Sequence, residues 1–204
     1  MDGSGGGKRE QNKQANRAAL VESARQCFLE LGYDAVTVRD IIRRTDLATG
    51  TFYNYFPDKE SLFREILEVR INDINAKMHA VRQSAPSIEA FIHGAYLALF
   101  QKIADEPDFF GLILRNEHAV RSLFKDTIVG LPMRALKEDI RDAIQRGVFP
   151  TVDVDMLAAA FYGTGFEIGR LMVERPGTDP ETAAGFATTL LTAGLPAFGN
   201  VHHP

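Results

Sequence analysis

The stretch TGTFYNYFPDKESLF (residues 49–63) concentrates aromatic rings and hydroxyl groups in one short segment. Phe52 and Phe56 lie four residues apart, so a helix places both rings on one face. Tyr53 and Tyr55 fall off that face, which leaves their hydroxyls free to point away from a core. Such hydroxyls donate hydrogen bonds to phosphate oxygens, and a threonine methyl can contact a thymine methyl. The pattern predicts a short helix that packs on one side and contacts nucleic acid on the other.

The composition of the whole chain is that of an ordinary globular protein. The chain has 204 residues, of which 45% are apolar and 25% are charged, and this length allows one or two domains. No apolar run reaches the ~18 residues that a membrane span needs, and the N-terminus lacks the apolar region of a secretory signal. Cys27 is the only cysteine, so no intrachain disulfide can form. These features predict a cytoplasmic protein with no membrane partner.

Positive charge is concentrated at the N-terminal end of the chain. The net charge is −4, but residues 1–59 contain nine Lys and Arg against eight Asp and Glu, a balance of +1. Residues 60–204 contain fourteen against nineteen, a balance of −5. The segment KREQNKQANR (8–17) holds four basic residues and one acidic residue. Any phosphate-binding surface must therefore be local and N-terminal.

Almost every segment has a helical period, and the sequence contains no convincing alternating strand or fixed repeat. Gly32 is a predicted C′ glycine, and Thr37 is a predicted N-cap with Asp40 at the capping-box position. Pro132 is expected to kink or split a helical segment that spans about 121–146. The sequence predicts an all-α fold of about nine helices.

Two short helices, predicted at 37–45 and 48–55, are separated only by the residues DL. Helices joined by so tight a turn form a helix-turn-helix. Apolar residues of this unit are expected to share a core with a helix at 16–32; they are Ile41, Ile42, Leu47, Phe52 and Phe56. Gly50 costs roughly 1 kcal/mol of helix propensity but leaves bare backbone that a sugar-phosphate chain can approach. Core packing is the alternative for a single tyrosine here, but it does not explain the whole arrangement.

Residues 16–63 resemble the DNA-binding domain of the TetR/AcrR family of bacterial transcriptional regulators. The stretch TVRDIIRRTDLATGTFYNYFPDKESLF has the family's capping threonine, its isoleucine, its turn, its recognition helix, and the aromatic pair before a lysine. The resemblance covers about a quarter of the chain. Asp46 stands where the family usually has a turn glycine, and Ala48 stands where it often has a capping serine. Neither departure removes a DNA-contacting group.

The resemblance implies a double-stranded DNA operator as partner and assigns a role to individual residues. It divides the chain into a flexible basic arm (1–15), a helix-turn-helix domain (16–60) and an effector-binding and dimerisation domain (61–204). Residues implied to contact phosphate are Thr37, Arg39 and Lys59. Four basic residues are implied to follow the minor groove or the DNA backbone from the arm: Lys8, Arg9, Lys13 and Arg17. Residues implied to face the major groove or its backbone walls are Thr49, Gly50, Thr51, Tyr53, Asn54 and Tyr55.

Small residues recur in the last two predicted helices, and small residues allow close helix approach. They are Ala158, Ala159, Ala160, Gly163, Gly165 and Gly169, and then Ala183, Ala184, Gly185, Ala187, Thr188 and Gly194. The resemblance implies a homodimer through these two helices, with contacts inside one chain as the alternative. The stretches GSGGGK (3–8) and GTGFEIG (163–169) imitate nucleotide-binding motifs, but neither follows a predicted strand.

The middle helices carry more apolar and aromatic side chains than a small bundle needs, and the resemblance implies an effector pocket there. The residues predicted to line it are Phe91, Leu99, Phe110, Ile113, Phe124 and Phe166, with Arg115 and His118 at a polar mouth. Phe166 is predicted to act as a gate, because neighbouring glycines remove bulk around it. A long-chain fatty acyl-CoA would suit such a pocket. An apolar drug or aromatic compound is the alternative.

Enzymatic chemistry finds no support in the sequence. There are no paired carboxylates in a cleft motif, no nucleophile elbow and no metal-ligand spacing, so no catalytic residue, cofactor or metal is predicted. A DNA-binding architectural protein without an effector is a second alternative. The predicted function is a ligand-responsive transcriptional repressor that binds a palindromic operator as a dimer.

Overall fold

The computed structural model describes residues 4–125 and 130–198, and every regular element in these two ranges is helical. The helices are α1 (Ser4–Leu31), α2 (Val38–Ile42), α3 (Thr49–Phe52), α4 (Lys59–Ser84), α5 (Ile88–Asp105), α6 (Pro107–Arg115), α7 (Glu117–Leu123), α8 (Gly130–Gln145), α9 (Val154–Glu174) and α10 (Pro180–Phe198). The all-α prediction is confirmed. None of these helices is both long and apolar enough to cross a membrane.

The segment expected at about 121–146 is split, which is one of the two predicted outcomes: α7 ends at Leu123 and α8 begins at Gly130. Pro132 lies in the first turn of α8, where a proline lacks no intrahelical hydrogen bond, so it marks a helix start and not a kink. Together with the break at Asn116, this division gives ten helices in the described ranges, where about nine were predicted.

The N-terminal arm is also helical where the sequence predicted flexibility. Helix α1 extends back to Ser4 and includes the basic segment 8–17. That segment is rich in Lys, Arg, Gln and Glu, which are good helix formers. Because the extension of an existing helix needs no new nucleation, the buried C-terminal part of α1 allows the exposed N-terminal part to form. The C-terminal end is as predicted, with Gly32 at φ 84°.

Helices α2 and α3 are shorter than predicted because their last turns tighten. The amides of Arg44 and Thr45 donate to carbonyls three residues back, at 3.3 and 2.9 Å. Asn54 and Tyr55 do the same after α3, at 3.2 and 3.0 Å. Bonds of this spacing are 3₁₀-type and end an α-helix. The two elements remain joined by a tight turn, as the sequence predicts.

Two hydrophobic cores organise the molecule. The N-terminal core contains the buried residues of α1 to α4, such as Phe28, Ile41 and Phe63, together with buried residues of α6 and α7. The C-terminal core contains the buried residues of α5, α8, α9 and α10 and one ring of α6, Phe110. Helix α4 runs from the first core to the second, so the boundary predicted at residues 60 and 61 falls within a continuous helix and stays a prediction.

Candidate nucleic-acid interface and effector cavity

Helix α2 begins with the capping box that the sequence predicts. The amide of Asp40 donates to Thr37 Oγ1 at 3.3 Å, and the amide of Thr37 donates to Asp40 Oδ2 at 2.9 Å. The Thr37 side chain and backbone donate to Asp40 and lower the pKa of its carboxyl. The bonds that the Asp40 carboxylate accepts from Thr37 therefore stabilise the helix start at neutral pH, and this stabilisation is lost as the pH falls through that lowered pKa. Ser23 Oγ donates to the Ile41 carbonyl at 2.6 Å and fixes α2 against α1.

Helix α3 separates its apolar and hydroxyl-bearing faces as the sequence predicts. Phe52 and Phe56 are buried, with ring centroids 5.9 Å apart, and they hold α3 against the N-terminal core. Tyr53 is 58% exposed. Nothing lies within 4 Å of a Cβ built on Gly50, so the backbone there is open to an approaching molecule. Ala48 provides no side-chain cap, which is the departure from the family pattern noted above.

Most residues predicted to contact DNA lie on one accessible side of the helix-turn-helix. Exposed members of this set are Arg17, Thr37, Arg39, Thr49, Gly50, Tyr53 and Asn54, whereas Thr51, Tyr55 and Lys59 are half-buried. Tyr55 packs partly against the N-terminal core, so its ring has a structural role as well. Arg39 forms no ion pair with any residue in the two described ranges. The DNA contacts themselves stay predictions.

Two of the predicted phosphate ligands already have partners within the chain. Lys59 Nζ donates to the carbonyls of Tyr33 and Val36 at 2.7 and 2.9 Å, and it lies 4.4 Å from the centroid of the Tyr33 ring. Lys59 therefore holds the α1–α2 loop onto the start of α4. Arg17 pairs with Glu65 and stacks over the Phe56 ring at 5.4 Å. Both cations are therefore engaged within the chain, and their phosphate contacts stay predictions.

A cavity of about 170 Å³ lies among the helices of the C-terminal half. Its walls come from one face of α4, one face of α5, the middle of α9 and parts of α6, α7 and α8. The lining residues are Ile71, Ile74, Asn75, Met78, Arg82, Phe91, Ile92, Ala95, Tyr96, Leu99, Phe110, Ile113, Val120, Pro132, Leu136, Phe161, Tyr162, Gly165 and Phe166. We call it the effector cavity. It is mainly apolar, as binding sites for small organic molecules usually are.

The cavity unites five of the predicted ligand residues: Phe91, Leu99, Phe110, Ile113 and Phe166. The other three do not line this cavity. Phe124 is buried in the N-terminal core, 5.9 Å from the Phe63 ring. Arg115 and His118 line a separate cleft beside Gly32 and Tyr33. Arg115 ends α6, whereas His118 lies in α7 and Phe124 directly follows it, and the buried residues of α7 pack in the N-terminal core.

Phe166 is held more firmly than a freely moving gate would be. Its ring lies 5.9 Å from that of Phe110 and 6.1 Å from that of Tyr162. The guanidinium groups of Arg121 and Arg170 lie 5.7 and 5.3 Å from its centroid.

The glycines near Phe166 do not create space around its ring. A Cβ at Gly165 would lie 3.1 Å from the Tyr96 ring, and one at Gly169 would lie 2.8 Å from Ile103. These two glycines allow α9 to pack closely on α5 and α6, which is the contact inside one chain that the sequence left open. The reason given for a mobile Phe166 is therefore wrong.

A buried ion pair in the cavity wall was missed by the sequence reasoning. Arg82 is 4% exposed, and its Nε donates to Asp139 Oδ2 at 2.6 Å. Asp139 Oδ1 lies 2.7 Å from His79 Nδ1 and accepts a hydrogen bond from Gln83 at 2.9 Å. Burial lowers the pKa of the Arg82 guanidinium, and Asp139 opposes that effect. The signal was available: Arg82 continues the apolar stripe of α4 that contains Ile74 and Met78.

Asn116 is a second residue whose role only the structure shows. It is buried between α6 and α7, and its Oδ1 accepts a hydrogen bond from the Tyr33 amide at 2.5 Å. Its Nδ2 donates to the carbonyls of Phe28 and Leu112 at 3.1 and 2.7 Å. Every polar atom of this amide is thus used to tie the end of α6 to the end of α1.

The last two helices present an accessible apolar face. Phe186 and Leu190 of α10 are 64% and 57% exposed, and Met156 of α9 is 74% exposed. A Cβ added to Gly163 or Gly185 would meet nothing within 4 Å, so these two glycines do not serve packing within the chain. Among residues 4–125 and 130–198, no cluster of His, Cys, Asp and Glu could hold a metal ion.

Comparison with known proteins gives a family match and full-length relatives. Residues 20–66 match the model of bacterial regulatory proteins of the tetR family. The HTH-type transcriptional repressor DhaR of Mycobacterium sp. (strain GP1) is 25% identical over 199 residues, which cover 91% of this chain and 95% of that protein.

Solved structures share the fold over nearly the whole chain. The fatty acid degradation regulator FadR from Bacillus halodurans has a TM-score of 0.68 at 18% identity, covering 92% of this chain and 97% of that one. The transcriptional regulator FadR from Bacillus subtilis in complex with stearoyl-CoA has a TM-score of 0.67 at 16% identity, covering 91% and 99%. The family match therefore covers the residues that form the helix-turn-helix, and the similarity to a named transcriptional repressor extends over nearly the whole chain.

Proposed function

We propose that the protein is a dimeric repressor whose affinity for a palindromic operator is changed by a small apolar effector. One observation carries the ligand response: α6 belongs to both cores. Phe110 and Ile113 of α6 line the effector cavity, whereas Phe109 and Leu112 of the same helix are buried in the N-terminal core. A ligand that shifts α6 must therefore disturb the packing of the helix-turn-helix domain.

A ligand acts through this helix only if it binds one arrangement of α6 better than another. Coupling between two such sites is typically about 1–3 kcal/mol. Asn116 strengthens the connection, because its side chain bonds the last turn of α6 to the Tyr33 amide beside Lys59. The α4 helix supplies a second connection, since it lines the cavity near its end and begins at Lys59.

The homodimer is supported by the apolar face of α9 and α10. Exposed Phe186 and Leu190, with open space above Gly163 and Gly185, suit a four-helix contact with a second copy. Two copies would present their α3 helices to successive major-groove faces roughly 34 Å apart. Relatives named as transcriptional regulators argue against an enzyme. The effector cavity argues against a purely architectural protein.

Two effector classes are compatible with an apolar cavity. A long-chain fatty acyl-CoA is supported by the shared fold of the FadR protein that holds stearoyl-CoA. An apolar drug or aromatic compound is supported by the rings of Phe91, Phe110, Phe161 and Phe166 in the cavity wall. Capturing genomic fragments on the purified protein identifies the operator. Titrating stearoyl-CoA and aromatic compounds against that complex then tests both classes. A protein that binds no genomic fragment would contradict the proposal.

Tyr53→Phe is expected to weaken operator binding by on the order of 1 kcal/mol, about fivefold, without loss of stability. The hydroxyl is exposed, while the ring packs 5.3 Å from that of Phe52 and is retained in the variant. Gel-shift titration measures the affinity, and thermal unfolding measures the stability. Tyr96→Phe is the matched control, because its buried hydroxyl donates to the Phe161 carbonyl at 2.9 Å and cannot reach DNA. Unchanged affinity in Tyr53→Phe would assign that tyrosine to packing alone.

Phe166→Ala is expected to alter the ligand response more than it alters operator affinity without ligand. The ring forms part of the cavity wall but contacts no residue of the helix-turn-helix unit named above. Effector titrations on the preformed operator complex, run with wild type and variant side by side, give the two midpoints. Equal midpoints would mean that Phe166 is ordinary wall packing and that the response depends on another residue.

A further inference from the structure

Arg82 is the one charged residue that lines the effector cavity, among the residues that the structure describes. A guanidinium has five N–H donors. Within the described ranges, its side chain makes a single hydrogen bond, from Nε to Asp139 Oδ2 at 2.6 Å. No acceptor within residues 4–125 and 130–198 pairs with the two terminal amino groups, although the residue is only 4% exposed. A buried N–H donor without an acceptor costs free energy, so folded proteins normally provide an acceptor for it.

The other arginines around the cavity differ from Arg82 in this respect. Arg121 and Arg170 stack on Phe166 and both donate to Glu117, at 2.9 and 2.8 Å. Their carboxylate partner belongs to the same chain, so neither guanidinium needs a ligand to provide an acceptor. Asp139 instead occupies only the Nε side of Arg82, and it is itself held by His79 and Gln83. This arrangement fixes the guanidinium and leaves its terminal edge available.

The volume of the cavity limits the size of an occupant. At about 170 Å³ it resembles the ~150 Å³ apolar cavities that accommodate one benzene ring, and it is smaller than the ~300–1,000 Å³ of sites for drug-sized molecules. A long acyl chain would require the helices to separate. A single ring or a short alkyl chain fits the cavity as it stands.

We propose that the effector is a compact apolar carboxylate whose carboxyl group binds the terminal amino groups of Arg82. Two parallel N–H donors match the two oxygens of a carboxylate. The apolar remainder of the ligand lies against Phe91, Leu99 and Phe110 on the far walls. This inference rests on the proposed function and narrows its effector class.

The test uses the full-length protein without DNA and measures binding by calorimetry. The probes are straight-chain and phenyl-substituted carboxylates of up to about ten carbons, each beside the alcohol and the methyl ester of the same skeleton. At least one carboxylate is expected to bind about tenfold or more tightly than its alcohol and ester, since an ionic hydrogen-bonded pair contributes that much. Arg82→Lys keeps a positive charge beside Asp139 but lacks the paired donors, and it is expected to reduce this preference.

A second variant keeps the inference testable if Arg82→Lys fails to fold. Arg82→Met combined with Asp139→Leu removes the ion pair as a unit and retains the volume of the wall. It is expected to lose the carboxylate preference. Equal binding of carboxylate, ester and alcohol by wild type overturns the inference, and so does an undiminished preference in both variants.

The failure of this inference is distinguishable from failure of the proposed function. Binding of stearoyl-CoA with no binding of any compact carboxylate would overturn the Arg82 assignment and leave the ligand-responsive regulator intact. Operator binding is measured on the same preparations by gel shift. If the wild-type protein fails to bind the operator, the proposed function is overturned, whatever the calorimetry shows.

Discussion

Phe186→Glu is expected to convert the protein into a monomer and to lower its operator affinity by about a hundredfold or more. Phe186 is 64% exposed and lies beside Leu190 on the outer face of α10. A buried glutamate at the centre of an apolar dimer contact would have no partner, and burying an unpaired charge costs more than such a contact gains. Two linked DNA-binding domains typically gain 10²–10⁴ in avidity over one, and a monomer forfeits this gain.

Sedimentation gives the oligomeric state of this variant, and gel shift gives its affinity for the operator. Val69→Glu is the matched control, because Val69 is 69% exposed on α4, away from α9 and α10. That control introduces the same charge at an equally open apolar site and is expected to leave a dimer with wild-type affinity. A dimeric Phe186→Glu protein would remove α10 from the interface.

Asp139→Leu alone is expected to reduce the free energy of unfolding by about 3–5 kcal/mol, as breaking a buried ion pair does. Asp139 is 1% exposed and Arg82 is 4% exposed, so the substitution leaves a guanidinium in the core with no counter-charge. Asp139 also accepts hydrogen bonds from His79 and Gln83, which the leucine cannot replace. Urea unfolding followed by circular dichroism measures the change.

Arg82→Met added to Asp139→Leu is expected to recover most of that loss. The double variant leaves no unpaired charge, and apolar replacements for a buried pair are often neutral or stabilising. Glu60→Gln is the surface control. It breaks the partly exposed Arg64–Glu60 pair, 3.1 Å long, and is expected to cost less than about 1 kcal/mol. A double variant as unstable as Asp139→Leu would mean that the carboxylate stabilises the fold through His79 and Gln83.

The sequence by itself determined the features that depend on neighbours along the chain. Thr37 with Asp40 predicted a capping box, and Gly32 predicted a helix end, because caps are set by residues within one turn. The four-residue spacing of Phe52 and Phe56 predicted which face of α3 is buried, because helical period is a local property. The helix-turn-helix and the all-α class follow from such signals.

Only the tertiary structure decided which residues meet across the chain. Phe110 and Phe124 both suggest an apolar pocket in sequence, yet one lines the effector cavity and the other lies in the N-terminal core. Lys59 has the position of a phosphate anchor, but its ammonium group binds two carbonyls of a loop some twenty-five residues earlier. Arg82 meets Asp139 across 57 residues. Helical period fixes the face on which a side chain lies, whereas the rotation and packing of whole helices fix what that face contacts.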